Sequence, residues 1–105
     1  MYTRLVVVVG ATVEMNCNRF ARSSFVWSVD TGGGYADYID WHGQFSWPRL
    51  RMQPATEHSH TLVILDAQRN DSGFYNCYDG KGERKIGYHV TVIGTPFVAN
   101  FALKT

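Results

Sequence analysis

The sequence lacks any long hydrophobic run and any large excess of charge of one sign. Its longest apolar run is Leu5–Val9, far below the roughly 18 apolar residues that a membrane-spanning helix needs. The formal net charge is +1 at pH 7, so no basic stripe is available to neutralise nucleic-acid phosphates. We therefore expect neither a nucleic-acid partner nor direct membrane contact by this fragment.

Cysteine is scarce, and no N-terminal targeting segment is visible. The apolar run after Met1–Arg4 is too short for a signal peptide, and no cleavage site follows it. If the protein is secreted, the sequence is expected to be a mature fragment. The two cysteines, Cys17 and Cys77, permit one intramolecular pair. The alternative is two buried free thiols in a cytosolic domain.

Helix signals are weak everywhere, whereas short β-branched and aromatic runs alternate with Gly, Asp, Asn and Ser clusters. This pattern is typical of an all-β chain, and 105 residues suffice for one domain. We expect that domain over residues 1–94, with 95–105 as a C-terminal tail or a linker to a following segment. The predicted strands are Leu5–Val9, Val13–Cys17, Phe25–Asp30, Tyr35–Trp41, Leu50–Met52, Thr61–Leu65, Phe74–Tyr78 and Lys85–Ile93.

The residues around the cysteines resemble the immunoglobulin superfamily. Trp27 follows Cys17 by ten positions, Thr61–Ile64 supplies a strand, and Asp71–Cys77 is an Asp-Ser-Gly-x-Tyr-x-Cys element. The resemblance implies an immunoglobulin-like antiparallel β-sandwich with Greek-key connections and eight or nine strands, V-type or long I-type. Such domains occur in cell-surface adhesion and recognition receptors. An antigen-receptor variable domain is not expected, because no Phe-Gly-x-Gly motif follows Cys77.

The resemblance also implies roles for several core residues. A disulfide between Cys17 and Cys77 is expected to join the two sheets, with Trp27 packed over it. Tyr75 lies two positions before the second cysteine, where the family places a tyrosine corner. Leu62 is expected to face the core from its strand.

A buried ion pair is a further implication of the resemblance. In the family, an Asp at the position of Asp71 pairs with an Arg that opens strand D. Arg51 is the first choice for this partner and Arg49 the second.

No set of residues for catalysis is visible, so we expect no enzymatic activity and no cofactor. Ser, His and Asp are present, but no nucleophile elbow surrounds any serine. His58 and His60 share a face of an extended chain and are the best candidates for a metal site. Because no third ligand has a suitable spacing, a solvated edge is the favoured interpretation and no metal is expected.

Asn70, Asp71 and Ser72 form an Asn-x-Ser sequon. A secreted protein could carry a glycan on Asn70. The alternative is that the immunoglobulin turn requires Asp-Ser-Gly in any case, so that the sequon is incidental.

Aromatic residues exceed what the core of such a domain needs. The residues in excess are Tyr35, Tyr38, Trp41, Phe45, Trp47 and Tyr78. Exposed Tyr and Trp carry much of the binding energy at protein interfaces. We therefore predict a partner-binding surface on the G-F-C-C′ sheet that contains Tyr38, Trp41, Tyr78 and His89. The alternative is that Trp41, Phe45 and Trp47 shield the edge of the core.

These observations predict an extracellular or cell-surface module that binds another protein, either a different partner or a second copy. One alternative is a structural spacer in a chain of such domains, which the apolar segment Phe97–Leu103 favours. A pathogen immunoglobulin mimic and an intracellular domain with reduced thiols are the others.

Overall fold

The fold is known from a computed structural model of the chain. It describes residues 2–17, 26–32, 37–39, 49–53, 61–78 and 83–94, with the backbone alone for 37–39, 84 and 85. The predicted hairpin tip Asp79–Gly82, the segment 95–105, and His42, His58 and His60 lie outside these ranges. The strands are β1 (Thr3–Val8), β2 (Val13–Asn16), β3 (Val26–Asp30), β4 (Asp37–Ile39), β5 (Leu50–Gln53), β6 (Thr61–Ile64), β7 (Gly73–Tyr78) and β8 (Arg84–Ile93).

The strands form two sheets. A five-stranded sheet has the order β1-β8-β7-β3-β4, and a three-stranded sheet has the order β2-β6-β5. β1 runs parallel to β8, whereas the other neighbouring strands are antiparallel. The predicted antiparallel β-sandwich is therefore confirmed, with eight strands in the described ranges.

Alternate residues of each strand fill the space between the sheets. In β2, Val13 and Met15 are buried while Glu14 is exposed, and in β5 Leu50 and Met52 are buried. This alternation follows from the pleat, which points successive side chains to opposite faces of a sheet. The apolar positions of β2 and β5 therefore all meet the five-stranded sheet.

A disulfide and a tryptophan occupy the centre of this core. Cys17, directly after β2, is bonded to Cys77 of β7, with a Cα–Cα distance of 6.2 Å. The bond closes a separation of 60 residues, which stabilises the fold by about 4 kcal/mol on the chain-entropy model. Trp27 lies directly opposite Cys77 in the register of β3 and β7. Trp27, Leu62 and Tyr75, the three residues predicted to be core, are fully buried.

Tyr88 makes a second connection between the sheets. Its ring lies 6.1 Å from that of Trp27, and its hydroxyl donates a hydrogen bond of 2.7 Å to the carbonyl oxygen of Asn16, at the end of β2. Burial raises the pKa of the Tyr88 phenol. The phenol is therefore kept as a neutral donor between β8 and β2.

The start of β7 is tied to β5 by a buried carboxylate. Asp71 ends the 3₁₀ turn Arg69–Asp71, and its side chain is fully buried. It accepts a bidentate pair of hydrogen bonds from Arg49, one of them 2.9 Å long, and a bond of 2.7 Å from the backbone N–H of Gln68. The hydrogen bond to Asp71 raises the pKa of the Arg49 guanidinium.

The expected choice of Arg51 as the partner of Asp71 is wrong, and the second choice, Arg49, is the partner. β5 begins at Leu50, so Arg51 lies between two buried residues and its side chain is exposed on the outer side of the three-stranded sheet. Arg49 precedes the strand and is not held by the alternation of the pleat. Its side chain turns around the end of the sheet, where Asp71 lies.

Tyr75 is bonded to the same turn before β7, which we call the corner at Asp71. Its hydroxyl donates a hydrogen bond to the carbonyl oxygen of Asp71. Burial raises the pKa of the Tyr75 phenol, and the nearby carboxylate of Asp71 raises it further. Arg49, Asp71 and Tyr75 therefore form one network at the start of β7.

Replacing Arg49 is predicted to destabilise the domain far more than replacing Arg51. Arg49→Met removes the cation from a carboxylate that stays buried, which costs about 3 kcal/mol. Arg51→Met, the matched control, changes an exposed position and is expected to cost less than about 0.5 kcal/mol. Urea unfolding of both variants at pH 7 measures the difference. Equal losses would contradict the assignment of Arg49.

Tyr75→Phe is predicted to cost about 1 to 3 kcal/mol at pH 7, because the buried Asp71 carbonyl loses its donor. The folded state holds the phenol pKa above its ordinary value near 10. This contribution is fully present below pH 10 and falls as the pH rises further, since the unfolded tyrosine ionises first. The difference in free energy of unfolding between the native protein and Tyr75→Phe should therefore become smaller from pH 9 to pH 11, as measured by urea titrations. A constant gap would show that Tyr75 ionises equally in both states.

Candidate interaction surface

Exposed apolar side chains gather on the outward side of the five-stranded sheet. Among the described residues, the exposed large hydrophobic side chains are Tyr2, Val6, Phe74 and Ile93, which are 39%, 59%, 39% and 41% exposed. Tyr2, which precedes β1, lies against Phe74, and the other three take their orientation from their neighbours in the strand. Leu5 and Val7 pack against the core on either side of Val6, and buried Tyr75 and Val92 are the neighbours of Phe74 and Ile93. All four therefore face away from the core.

Three rings form a cluster on this side of the sheet. Phe74 and His89 are opposite each other in the register of β7 and β8. Their rings stack at 4.5 Å between centroids with an interplanar angle of 10°. Tyr2 meets Phe74 edge-on, at 5.0 Å and 62°. We call Tyr2, Val6, Phe74, His89 and Ile93 the β1–β8–β7 surface.

Gly87 makes room for this cluster. A Cβ atom at Gly87 would lie 2.7 Å from the Tyr2 ring and 2.7 Å from Oδ1 of Asn76. Gly87 precedes His89 by two positions on the same face of β8. Any larger residue there would displace Tyr2 from the sheet, so this glycine allows the ring to lie beside Phe74.

Charged residues lie at both ends of the row that contains the stacked pair. The register places exposed Arg4 of β1 opposite His89, and Asp30 of β3 opposite Phe74. The row therefore reads Arg4, His89, Phe74 and Asp30 across four strands. It carries a cation at one end and a carboxylate at the other, with two stacked rings between them.

A shallow cleft of about 280 Å³ opens at the carboxylate end of this row. Its lining is formed by Asp30, Thr31, Gly32, Ser72, Gly73, Phe74 and His89. Oδ1 of Asp30 accepts a hydrogen bond of 3.0 Å from the backbone N–H of Gly32. Gly73 packs closely against the backbone of Asp30 here, because a Cβ atom at Gly73 would lie 2.3 Å from the carbonyl oxygen of Asp30.

Of the four residues predicted to bind a partner, the structure places His89 within the β1–β8–β7 surface. Tyr78 is half-buried and lies at the other end of β7, opposite Arg84. The backbone of Tyr38 pairs with Ser28 in β4, but its side chain lies outside the described residues, as does the whole of Trp41. Those two positions stay predictions.

The sequence analysis missed the other members of the surface, although a usable signal was present. Alternation points both Tyr78 and Phe74 outward, because both alternate with Tyr75 and Cys77 along β7. Val6 likewise alternates with Leu5 and Val7. Tyr2 precedes the first predicted strand, so no alternation assigned it to a face.

A metal site, a membrane-spanning helix and a glycosylation site were also sought in the described part of the chain. No group of three His, Cys, Asp or Glu side chains there could hold a metal ion. No helix within the described ranges is long and apolar enough to cross a membrane. Asn70 of the sequon is exposed in the 3₁₀ turn.

Comparison with known proteins places this geometry in a fold family. No family model and no curated protein matches the chain. Among solved structures, the extracellular fragment of Novel Immune-Type Receptor 10 is similar with a TM-score of 0.68 and 18% identity, over 87% of this chain and 96% of that one.

Two other similar structures contain pairs of domains. The ZIG-8 IG1 homodimer has a TM-score of 0.69 and 19% identity, over 90% of this chain and 81% of that one. Dpr1 IG1 bound to DIP-eta IG1 has a TM-score of 0.66 and 23% identity, over 89% of this chain and 91% of that one. Identities this low show the fold alone. With the two sheets, the disulfide and the corner at Asp71, they show that the chain is, by its fold, an immunoglobulin-like domain.

Proposed function

We propose that this domain is an extracellular recognition module that binds another protein through the outward side of its five-stranded sheet. In the naming of the family, β8, β7, β3 and β4 are strands G, F, C and C′. The observation that carries the proposal is the position of the exposed large hydrophobic side chains. All those among the described residues lie on this one side.

These exposed side chains do not pack in the core, so core packing does not explain why they are hydrophobic. Single exposed apolar residues are common on protein surfaces, but a group that shares one face is typical of an interface. The stacked rings of Phe74 and His89 are already held against each other. A partner would therefore find them ordered, and binding would lose little side-chain entropy.

The class of partner is supported by the similar structures. ZIG-8 IG1 forms a homodimer, and Dpr1 IG1 is bound to DIP-eta IG1. In both, one immunoglobulin-like domain is paired with another. We propose the same class of partner for this chain and, with it, a place outside the cell, where the Cys17–Cys77 disulfide persists.

Truncating Phe74 is predicted to weaken partner binding about 30-fold, because a central interface aromatic contributes about 2 kcal/mol or more. The probe is a fluorescent tetramer of the domain, applied to a displayed panel of immunoglobulin-domain ectodomains that includes the domain itself. Phe74→Ala and Val6→Thr remove apolar contacts from the surface, and Tyr78→Ala tests whether it extends along β7. Gln53→Ala, exposed on the opposite sheet, is the matched control.

The proposal is wrong if Gln53→Ala abolishes binding while Phe74→Ala and Val6→Thr bind normally. A tetramer that binds no member of the panel would favour the spacer function. Thermal unfolding of each variant separates lost binding from lost structure. Because all four substitutions are at positions outside the core cluster, small changes in stability are expected.

We also propose that Asn70 carries an N-linked glycan when the protein is secreted, since the sequon is exposed. Expression in a eukaryotic secretory host should give a mass increase that Asn70→Gln removes. Ser72→Thr keeps the sequon and is the control. Ser72→Ala is a poor choice, because the Ser72 hydroxyl accepts a hydrogen bond of 2.9 Å from the N–H of Val92. An unshifted mass in the native sequence would contradict this proposal.

A further inference from the structure

The row Arg4, His89, Phe74 and Asp30 has opposite charges at its two ends. Neighbouring strands lie about 4.8 Å apart, so the row spans about 14 Å from β1 to β3. Arg4 is exposed, and within the described ranges no carboxylate forms an ion pair with it. A surface with this arrangement can be complementary to itself if a second copy meets it in the reversed direction.

The symmetry of two facing copies decides whether the charges match. When two sheets pack face to face, the two-fold axis that exchanges them lies in the plane between them. An axis parallel to the strands reverses the row, so that Arg4 of one copy faces Asp30 of the other. An axis along the row would instead place Arg4 against Arg4. Charge complementarity therefore selects the axis parallel to the strands.

The cleft beside Asp30 can accommodate the Arg4 side chain that this two-fold axis places opposite it. Its volume is about 280 Å³, and both Asp30 and Phe74 line it. A guanidinium binds a carboxylate through paired hydrogen bonds and also stacks on aromatic faces. Oδ1 of Asp30 is engaged by the Gly32 N–H, and an oxygen can still accept from a guanidinium through its remaining lone pairs.

We propose that the domain forms a two-fold homodimer through this row, in which each Arg4 enters the Asp30 cleft of the other copy. His89 of each copy then lies opposite Phe74 of the other. This inference rests on the proposed recognition function and names a second copy of this chain as the occupant of the surface.

The size of the surface sets the strength of the dimer. Three strand spacings by six residues cover roughly 280 Å², well below the roughly 800 Å² per partner of a standard interface. The dimer is therefore weak and forms at high protein concentration. A weak interface with charges at its rim responds strongly to charge reversal and to salt.

Two reciprocal charge reversals test this geometry. In Arg4→Glu homodimers Glu faces Asp30, and in Asp30→Arg homodimers Arg faces Arg4, so each variant should dimerise at least about tenfold more weakly than the native domain. In an equimolar mixture, the heterodimer has both of its pairs complementary. Sedimentation velocity at high concentration should therefore show two monomeric variants and a dimer when they are mixed.

Further variants separate charge from structure. Asp30→Asn keeps an oxygen acceptor for the Gly32 N–H but removes the charge, and it should weaken the dimer as well. Gln53→Ala on the opposite sheet should dimerise normally. Raising the salt concentration from 0.05 to 0.5 M should weaken the native dimer, and circular dichroism checks that each variant is folded.

The outcomes distinguish this inference from the proposed function. A native domain that stays monomeric at every concentration, or a mixture that fails to restore the dimer, overturns the homodimer. Partner binding that depends on Phe74 would then still support recognition of a different protein. Normal dimerisation of Arg4→Glu would show that the copies meet elsewhere.

Discussion

The disulfide between Cys17 and Cys77 fixes which side of the five-stranded sheet faces the core. Cys77 must point inward to reach the other sheet, and the alternation of β7 then points Phe74 outward. His89 lies opposite Phe74 in β8 and therefore also points outward, and so does Ile93 by alternation along β8. A slip of one residue would reverse every one of these side chains. The same constraint therefore determines which residues build the core and which residues of the strands are exposed.

The corner at Asp71 holds the end of the sheet where the surface begins. Its carboxylate connects β5 to the turn before β7 through Arg49, and the Tyr75 hydroxyl closes the same turn. The next residue, Ser72, accepts the N–H of Val92 in β8. The start of β7 is therefore held from the core side and from its neighbouring strand, which keeps Gly73 and Phe74 in place beside Asp30.

The fold could be predicted because its motif consists of local sequence signals. The spacing of Cys17, Trp27 and Cys77, with Asp71 and Tyr75, is readable without any knowledge of strand pairing. The choice between Arg51 and Arg49 was not readable in this way. It depends on whether β5 begins at position 49 or 50, and strand ends have no sharp signal in sequence. One residue decides whether an arginine lies on the pleat or around its end.

The sequence and the structure point to the same sheet for the candidate surface but to different residues on it, and strand register explains the difference. The sequence argument counted aromatic residues and selected Tyr38, Trp41, Tyr78 and His89. The stacked pair of Phe74 and His89 depends on the register of β7 and β8, which shifts between Cys77 and Tyr78.

Counting outward from a four-residue hairpin tip at 79–82 would pair Tyr78 with Glu83 and Phe74 with Gly87. The observed partners are Arg84 and His89. One residue of this offset is already present at Tyr78, and the bulge between Cys77 and Tyr78 adds the second while leaving the alternation along β7 intact. The face of a residue was therefore predictable, whereas its neighbour on that face was not.

Gly87 links this register to the surface. A glycine within a strand destabilises it by roughly 0.5 to 1 kcal/mol relative to alanine, and Gly87 faces away from the core. The space of its missing side chain is occupied by the Tyr2 ring and by Oδ1 of Asn76. An aromatic ring that covers a strand glycine recovers part of the lost packing. In the register counted from the hairpin tip, Gly87 would lie opposite Phe74 and the stacked pair of Phe74 and His89 would not form. The glycine, the bulge and the aromatic cluster are thus one structural feature, in which a local weakness of β8 is covered by the rings that form the candidate binding surface.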